Sequence, residues 1–386
     1  MRCAICAIKI VVMNSNNPFL ITGYYSPEYF CDRMQETGTM VSALDNGRNL
    51  TLVAPRRMGK TGLIKNVFYV LKEKESEIVT LYMDIYSTQS LADFVGLFAN
   101  TVLGTLDSAP QKAMKRIGQF IKSIRPVLTF DQFTGMPKIA VDFAGADSES
   151  TLNELFEYLQ SSEKRCYIAI DEFQQLTEYP ERGVEALLRS HIQFTTNVNF
   201  IFSGSKQHIM RDMFFSAKRP FYQSTQLLAI DRIDKDEYYR FAAEFFARKE
   251  CEFDRETFDY IYNRFEGHTW YVQAILNRLY SYREEPSVPL ADSAVSEIVA
   301  ESVSAYESLL TAYSISSVKL LKAIAKEGYV KEINSGGFIS KYGLKATSSV
   351  NTSLKKLINK ELVYKSPSGY IVYDRFMAIW LREFLY

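Results

Sequence analysis

The sequence predicts an α/β protein: a parallel sheet covered by helices, then a helical segment, then a C-terminal group of helices and a hairpin. Three observations carry this. Short, continuously apolar runs alternate with helix-spaced segments between about residues 48 and 231. Uninterrupted apolar strands of that kind are buried on both faces, which is the mark of a parallel sheet between helical layers. Helical periodicity then continues without strands to about residue 310, and the last 75 or so residues change character again.

The elements follow in order. Asn49–Val53 is a short apolar strand, and Lys60–Lys74 has helical spacing. Val79–Ile85 is a strand and Leu91–Leu106 a helix. Arg125–Gly145 breaks the rhythm with Pro126, Gly135, Pro137 and two alternating stretches, so a β-hairpin inserted into the sheet domain is expected. Thr151–Gln160 is a helix, Tyr167–Ile170 a buried strand, Gly183–Phe194 a helix, Asn199–Ser203 a strand and Gln226–Ile230 the last strand. Residues 234–250, 255–282 and 291–310 read as helical, with a turn at Arg283–Pro289. Helices Ser316–Lys326, Gly337–Tyr342 and Ser348–Lys360 then precede strands Leu362–Lys365 and Tyr370–Tyr373, joined by the turn sequence at residues 366–369. Three helices and a hairpin outline a winged helix-turn-helix. The expected domains are an N-terminal extension (1–17), a sheet domain (18–233, with the hairpin insertion at about 125–145), a helical lid domain (234–310) and a winged helix-turn-helix domain (311–386).

Composition narrows the classes. The chain has 386 residues, 47% apolar and 23% charged, enough to bury substantial cores in two or three domains. Lys plus Arg and Asp plus Glu both number 45, so a uniformly basic nucleic-acid coat protein is not expected. Cys3, Cys6, Cys31, Cys166 and Cys251 are odd in number and scattered, which reads as reduced thiols in a cytoplasmic protein rather than a disulfide framework. Cys3 and Cys6 form a lone C-x-x-C with no second pair or nearby His, and metal or redox use is not expected of it. No apolar run reaches the roughly 18 residues needed to span a bilayer, so no membrane partner is expected. The opening MRCAICAIKIVVM is interrupted by Lys9 and lacks a small-residue cleavage pattern, which favours a loose extension or an added strand over a signal peptide.

The chemistry is carried by two segments at strand ends. Ala54-Pro55-Arg56-Arg57-Met58-Gly59-Lys60-Thr61 follows a strand and opens a helix, matching G-x-x-x-x-G-K-[ST] at every fixed position but the first. Polyphosphate is highly anionic, and backbone N–H groups at a helix N-terminus point at it along a favourable dipole. Pro55 through Gly62 would cradle the phosphates, with Gly59 allowing close approach, Lys60 reaching the β and γ phosphates and the Thr61 hydroxyl holding Mg2+. Ala54 would cost about 1 kcal/mol if the loop needed a left-handed residue there.

Tyr167-Ile168-Ala169-Ile170-Asp171-Glu172 is the second segment, about 110 residues further on. Ligands of open parallel sheets bind beyond the carboxyl ends of the strands. There Asp171 would hold magnesium and Glu172 would orient or activate the water that attacks the γ-phosphate. Together the segments predict ATP or GTP binding with hydrolysis; the alternative for the first alone is a chance G-K-T at a helix start, and for the second alone a strand ending in a charged turn. Ser203, before Gly204 and Ser205, is either a γ-phosphate sensor or part of a strand-to-helix turn. Arg211, Lys218 and Arg219 are surface cations or include an arginine finger, acting in cis or from a neighbouring copy, and Arg219 is the favoured position. His268, in EGHTW, opens a helix and would either reach a phosphate from the lid or cap and pack that helix.

These residues together resemble the archaeal-type ATPase family, a branch of the STAND and AAA+ P-loop NTPases, in its bacterial members with a C-terminal winged helix. PRRMGKTGL (Pro55–Leu63) looks like the family's P-loop, IAIDEFQQL (Ile168–Leu176) like its Walker B segment and FIFSGS (Phe200–Ser205) like its sensor-1 strand. EGHTWYVQ (Glu266–Gln273) is similar to its Gly-His-Pro lid motif, with Thr269 in place of proline, and YDRFMAIWLREF (Tyr373–Phe384) resembles its C-terminal signature. The resemblance spans about residue 18 to the end. It implies an AAA+-like ATPase domain, a lid and a winged helix, and ATP rather than GTP. No guanine-reading motif follows the last strand, which agrees.

The neutral total hides an asymmetry. Residues 311–386 hold 12 basic and five acidic residues, net +7, and the rest of the chain is correspondingly −7. Lys341, Lys345, Lys355, Lys356, Lys360 and Lys365 lie on or near the presumed recognition helix and wing, and Ser348, Ser349, Asn351, Thr352 and Ser353 lie in that helix's first turns. DNA contact through residues 341–365 is one expectation; a winged helix that contacts only protein is the other. The reading is an ATP-hydrolysing switch coupling nucleotide state to the winged helix, with homo-oligomerisation where a finger acts in trans. The alternatives are a DNA-binding regulator that does not turn ATP over and a signalling scaffold.

Overall fold

Apolar strands dictate the centre of the fold. The computed structural model describes residues 17–106, 116–123, 125–130, 137–142, 147–366 and 368–383; the expectations for residues 1–16, including Cys3 and Cys6, lie outside them. The chain divides into two compact units, one of residues 20–238 and one of residues 17–19 with 239–386.

In the first unit, α1 (Met34–Asp45) leads into β1 (Leu50–Val53) and α2 (Lys60–Lys74). Then come β2 (Val79–Asp84), α3 (Leu91–Thr105), the hairpin strands β3 (Arg125–Phe130) and β4 (Pro137–Asp142), and α4 (Ser148–Gln160). β5 (Cys166–Asp171), α5 (Val184–Ile192), β6 (Val198–Gly204), α6 (Gln207–Phe215) and β7 (Gln226–Ala229) complete it. The sheet is five-stranded in the order β2-β5-β6-β1-β7, and every pairing in it is parallel. β3 and β4 pair antiparallel as a separate sheet, so the expected hairpin stands; its turn lies outside the described residues.

All residues of β1 and β5 are buried, as strands covered on both sides must be. Side chains alternate between faces. Ile168, Ile170, Phe200 and Phe202 pack with Phe94, Phe98 and Leu155 of α3 and α4. Ala169 and Ile201 pack on the other face with Leu63, Ile64 and Val67 of α2. Continuing that alternation puts Asp171 and Ser203 on the α2 face, at the carboxyl edge of the sheet. Neither α1, the 3-10 turn Phe173–Glu178 nor α6 is foreseen from apolar spacing.

The second unit is helical. α7 (Lys235–Arg248) carries the chain across the boundary and is followed by α8 (Arg255–Arg264), α9 (Thr269–Ser281) and α10 (Val288–Thr311). The run expected as one helical stretch over 255–282 is broken at Glu266 and Gly267, both left-handed. A Cβ on Gly267 would fall 2.5 Å from the Tyr262 ring, so glycine is required there. Asn17 and Phe19 belong to this unit. Asn17 donates to the Asn277 carbonyl at 2.8 Å, and the Asn277 amide donates to the Phe19 carbonyl at 2.7 Å. The buried Phe19 ring lies 5.5 to 6.2 Å from Phe241, Phe245, Phe246 and Tyr280.

The C-terminal part contains α11 (Ile315–Glu327), α12 (Gly336–Lys341), α13 (Thr347–Asn359), the hairpin β8 (Val363–Ser366) and β9 (Gly369–Val372), and α14 (Arg375–Glu383). This is the expected winged-helix outline with one further helix. α14 is strongly amphipathic and packs back on the preceding segment: Trp380 sits 5.4 Å from Tyr306 of α10, and Phe376 lies 5.2 to 6.0 Å from Phe265, Trp270 and Tyr271. That shared aromatic core joins residues 239–310 and 311–386 into one unit. Among the described residues no helix is long and apolar enough to cross a membrane.

Phe19→Ala should lower the stability of the second unit by about 3–5 kcal/mol, against under about 1.5 kcal/mol for Phe19→Leu, in denaturant unfolding followed by Trp fluorescence. A cost under 1 kcal/mol for the alanine variant would show that the anchor contributes nothing.

Candidate nucleotide site

The loop between β1 and α2 is curled by two left-handed residues and ends at a helix N-terminus. Arg57 and Gly59 are left-handed, at φ 65° and 89°, and Gly59 caps α2. Ala54 is absent from the left-handed residues, so the alanine in the motif's first position carries no strain. The strain sits at Arg57 instead, where a non-glycine residue accepts it.

Each residue of the loop has a definite place. The Pro55 carbonyl and the Ala54 carbonyl accept from the Lys60 ammonium at 3.1 and 3.0 Å. Arg56 stacks 5.1 Å from the Tyr86 ring centroid. Arg57 is exposed, while Met58 is buried. The Gly62 Cα faces Phe30, whose ring would lie 3.1 Å from an added Cβ. Lys60 itself is buried, and burial pulls its ammonium below the ordinary lysine value while the Glu172 and Asp171 carboxylates oppose that shift.

Asp171 ties the loop's helix to the sheet. Its Oδ2 accepts from the Thr61 hydroxyl at 2.9 Å and from the Tyr82 hydroxyl at 2.7 Å, and its Oδ1 accepts from the Glu172 N–H at 3.0 Å. The two segments of the expected site therefore meet. Burial, then the Asp171 charge, pushes the Tyr82 phenol far above its ordinary value, so it remains a donor. Glu172 is left-handed at φ 54°. Its Oε2 accepts from Gln174 Nε2 at 2.5 Å and from the Ser205 hydroxyl at 2.7 Å.

The remaining expected residues are placed differently. Ser203 is fully buried in β6 opposite Leu52, and its hydroxyl has no hydrogen-bond partner among the described residues. It is Ser205, not Ser203, that touches Glu172. Arg219 is engaged by Glu185 at 2.7 Å and by Asp212 at 3.4 Å, both in its own unit. His268 belongs to the second unit, where it caps α9 and its ring packs 4.9 Å from Tyr271.

Spacing motifs do not reveal four supporting residues. Tyr82 lies on β2, beside Ala169 in register and so on the Asp171 face. Gln174 directly follows the acidic pair, and Ser205 lies two residues beyond Ser203. Arg33 is the least visible. It is buried at a left-handed turn before α1 and donates to the Asp231 carbonyl at 2.6 Å and the Met58 carbonyl at 3.4 Å, linking the loop to the chain after β7.

A parallel sheet with a P-loop helix, an acidic strand end and a C-terminal winged helix defines the class as a P-loop ATPase fold with an appended winged helix. The chain belongs to the family of ATPase domains predominantly from Archaea, whose pattern matches residues 30–275, and a probable winged helix domain matches residues 304–383. Comparison with curated proteins gives no match. Among solved structures, the chain is similar to a Walker-type ATPase of Pyrococcus abyssi, at 18% identity over 95% of this chain and 99% of that one, with a TM-score of 0.65. It is similar also to the ORC2 protein of Aeropyrum pernix, solved as ADPNP–ADP complexes, at 17% identity over 96% of each chain with a TM-score of 0.62. The Aeropyrum pernix ORC1 protein, solved with DNA, follows at 13% identity over 95% of this chain and 96% of that one, with a TM-score of 0.56. At these identities the likeness is one of fold.

Tyr82→Phe removes one of three donors to a buried carboxylate. It should cost about 1–2 kcal/mol in denaturant unfolding of the first unit; an unchanged midpoint would show that this bond adds nothing.

Proposed function

We propose that this protein is a magnesium-dependent ATP-binding and ATP-hydrolysing switch whose output is the unit carrying the winged helix. The observation that carries the reading is the 2.9 Å bond from the Thr61 hydroxyl to Asp171, which unites a phosphate loop with an acidic strand end 110 residues away. The residues present fit the group. A left-handed Gly59, a helix N-terminus and a buried ammonium suit polyphosphate, and a hydroxyl beside a carboxylate suits a hard cation.

In this reading residues 55–62 bind the phosphates through their backbone N–H groups, and Lys60 leaves the loop carbonyls for the β and γ phosphates. Thr61 and Asp171 hold Mg2+, which when bound neutralises charge on the phosphate oxygens. Glu172 takes the proton of the attacking water. Ser203 is proposed to donate to the nucleotide or to that water; its fully buried hydroxyl without a partner supports this, because leaving such a group unpaired costs about 1–3 kcal/mol. For Arg219 to act as the finger it must leave Glu185 and Asp212, and a finger in trans requires a homo-oligomer. His268 is proposed as the sensor contributed by the helical segment. The partition into an ATPase domain (18–233), a lid (234–310) and a winged helix (311–386) is proposed on the same footing.

A second reading adds DNA to the output. Ser348, Asn351, Thr352, Lys355 and Lys356 are all exposed along one side of α13, and Lys365 is exposed on the wing. Of the other lysines, Lys341 is paired with Glu327 at 2.6 Å. Such a stripe in a net-positive region suits a phosphate backbone. ORC1, whose fold this chain shares, was solved with DNA.

Phosphate release by the purified chain should require Mg2+. Lys60→Ala should lose ATP binding, and Glu172→Gln should keep binding while turnover falls at least about 100-fold; a Glu172→Gln variant as fast as the parent would remove the hydrolytic assignment. In a gel-shift salt series, Lys355→Glu with Lys356→Glu should abolish DNA binding and flatten its salt dependence. No shift by the parent at low salt would leave protein as the only partner of the winged helix.

A further inference from the structure

We infer that Gln174, seated against Gly204, is a positioning residue that fixes which oxygen of Glu172 faces the reaction. The inference rests on the reading of Glu172 as the base. Three donors converge on one carboxylate oxygen: Gln174 Nε2 at 2.5 Å, the Ser205 hydroxyl at 2.7 Å and the Ser205 N–H at 3.3 Å. All address Oε2. The remaining oxygen, Oε1, keeps its capacity to accept a proton. In the proposed step a water O–H bond breaks and its proton goes to Oε1. The water oxygen bonds to the γ-phosphorus as the bond to ADP breaks.

Gln174 is built to do this and little else. It is 3% exposed, held by the 3-10 turn 173–178 whose Phe173 and Leu176 lie in the core. Its own Oε1 has no hydrogen-bond partner among the described residues, so the amide is not seated there to satisfy itself. An unpaired buried acceptor is costly, and here it accompanies a short bond from the other end of the amide to a carboxylate.

Gly204 explains how the amide fits. Its backbone is not left-handed, so glycine is not needed for φ. A Cβ there would lie 2.3 Å from Gln174 Oε1 and 2.6 Å from Met210 Cγ. The missing side chain is the room in which Gln174 sits. A residue larger than glycine at 204 must displace the Gln174 amide or Met210, and displacing the amide acts on the carboxylate without touching it. A base whose orientation is set by a third group is the general logic of activated sites.

The test uses the full chain, with steady-state ATP turnover, ADP affinity by fluorescent-nucleotide displacement and thermal unfolding measured together. Gln174→Met keeps the volume and removes the donor. It should lower kcat about 10- to 100-fold while KM and ADP affinity stay within about twofold, because a misplaced group costs rate rather than ground-state binding. Gly204→Ala should do the same, and adding it to Gln174→Ala should lower kcat no further, since the amide it displaces is already gone and what remains is the Met210 contact, which bears on stability. Glu172→Gln separates the failures. If Glu172→Gln turns over like the parent, or the parent releases no phosphate, both the base reading and this inference fall. If Glu172→Gln is inactive but Gln174→Met and Gly204→Ala keep the parental kcat, the inference alone is overturned. A fall in kcat matched by a rise in KM and a lowered unfolding temperature in both variants would show a structural role and overturn it as well.

Discussion

The site depends on keeping one buried carboxylate satisfied. Asp171 is nearly inaccessible at the end of β5, where an unpaired charge would be expensive. Hydroxyls from α2 and β2 and the backbone N–H of Glu172 supply the donors. Because each comes from a different segment, satisfying Asp171 fixes the phosphate-loop helix, the neighbouring strand and the turn carrying Glu172 at once. Lys60 follows the same rule with opposite sign: its buried ammonium rests on two loop carbonyls within the field of both acidic residues.

Much of this was legible in the residues because the chemistry demands local patterns. Continuous apolar strands point to the parallel sheet, and Gly59-Lys60-Thr61 and Asp171-Glu172 mark the two segments that meet at the candidate site. What was not legible depends on long-range contact. Tyr82 reaches Asp171 only because β2 and β5 are neighbours, and Arg33 reaches Met58 and Asp231 only because a left-handed turn aims it there. Ser203 and Ser205 stand two residues apart in sequence, yet one is enclosed in β6 and the other lies past its end, in contact with Glu172. Arg219 looks like a free cation in sequence because Glu185 and Asp212 are distant neighbours.

The second unit shows why its two expected parts are hard to separate. The segment Glu266–Tyr271 and the segment Tyr373–Phe376 meet directly: Arg375 pairs with Glu266 at 3.2 Å, the Tyr271 hydroxyl accepts from the Arg375 N–H at 3.0 Å, and Phe376 is enclosed by three aromatic rings. A turn forced by Gly267 thus presents residues that hold the last helix.

Magnesium and nucleotide are proposed to share the Thr61–Asp171 junction. The most direct measurement is isothermal titration of the full chain with a non-hydrolysable ATP analogue, with and without Mg2+, for the parent and for Asp171→Ala. Saturation near one nucleotide per chain is expected, with an affinity strengthened by Mg2+ in the parent and loss of that strengthening in the variant. No saturable binding up to millimolar analogue, or an Mg2+ effect that survives Asp171→Ala unchanged, would contradict that shared junction.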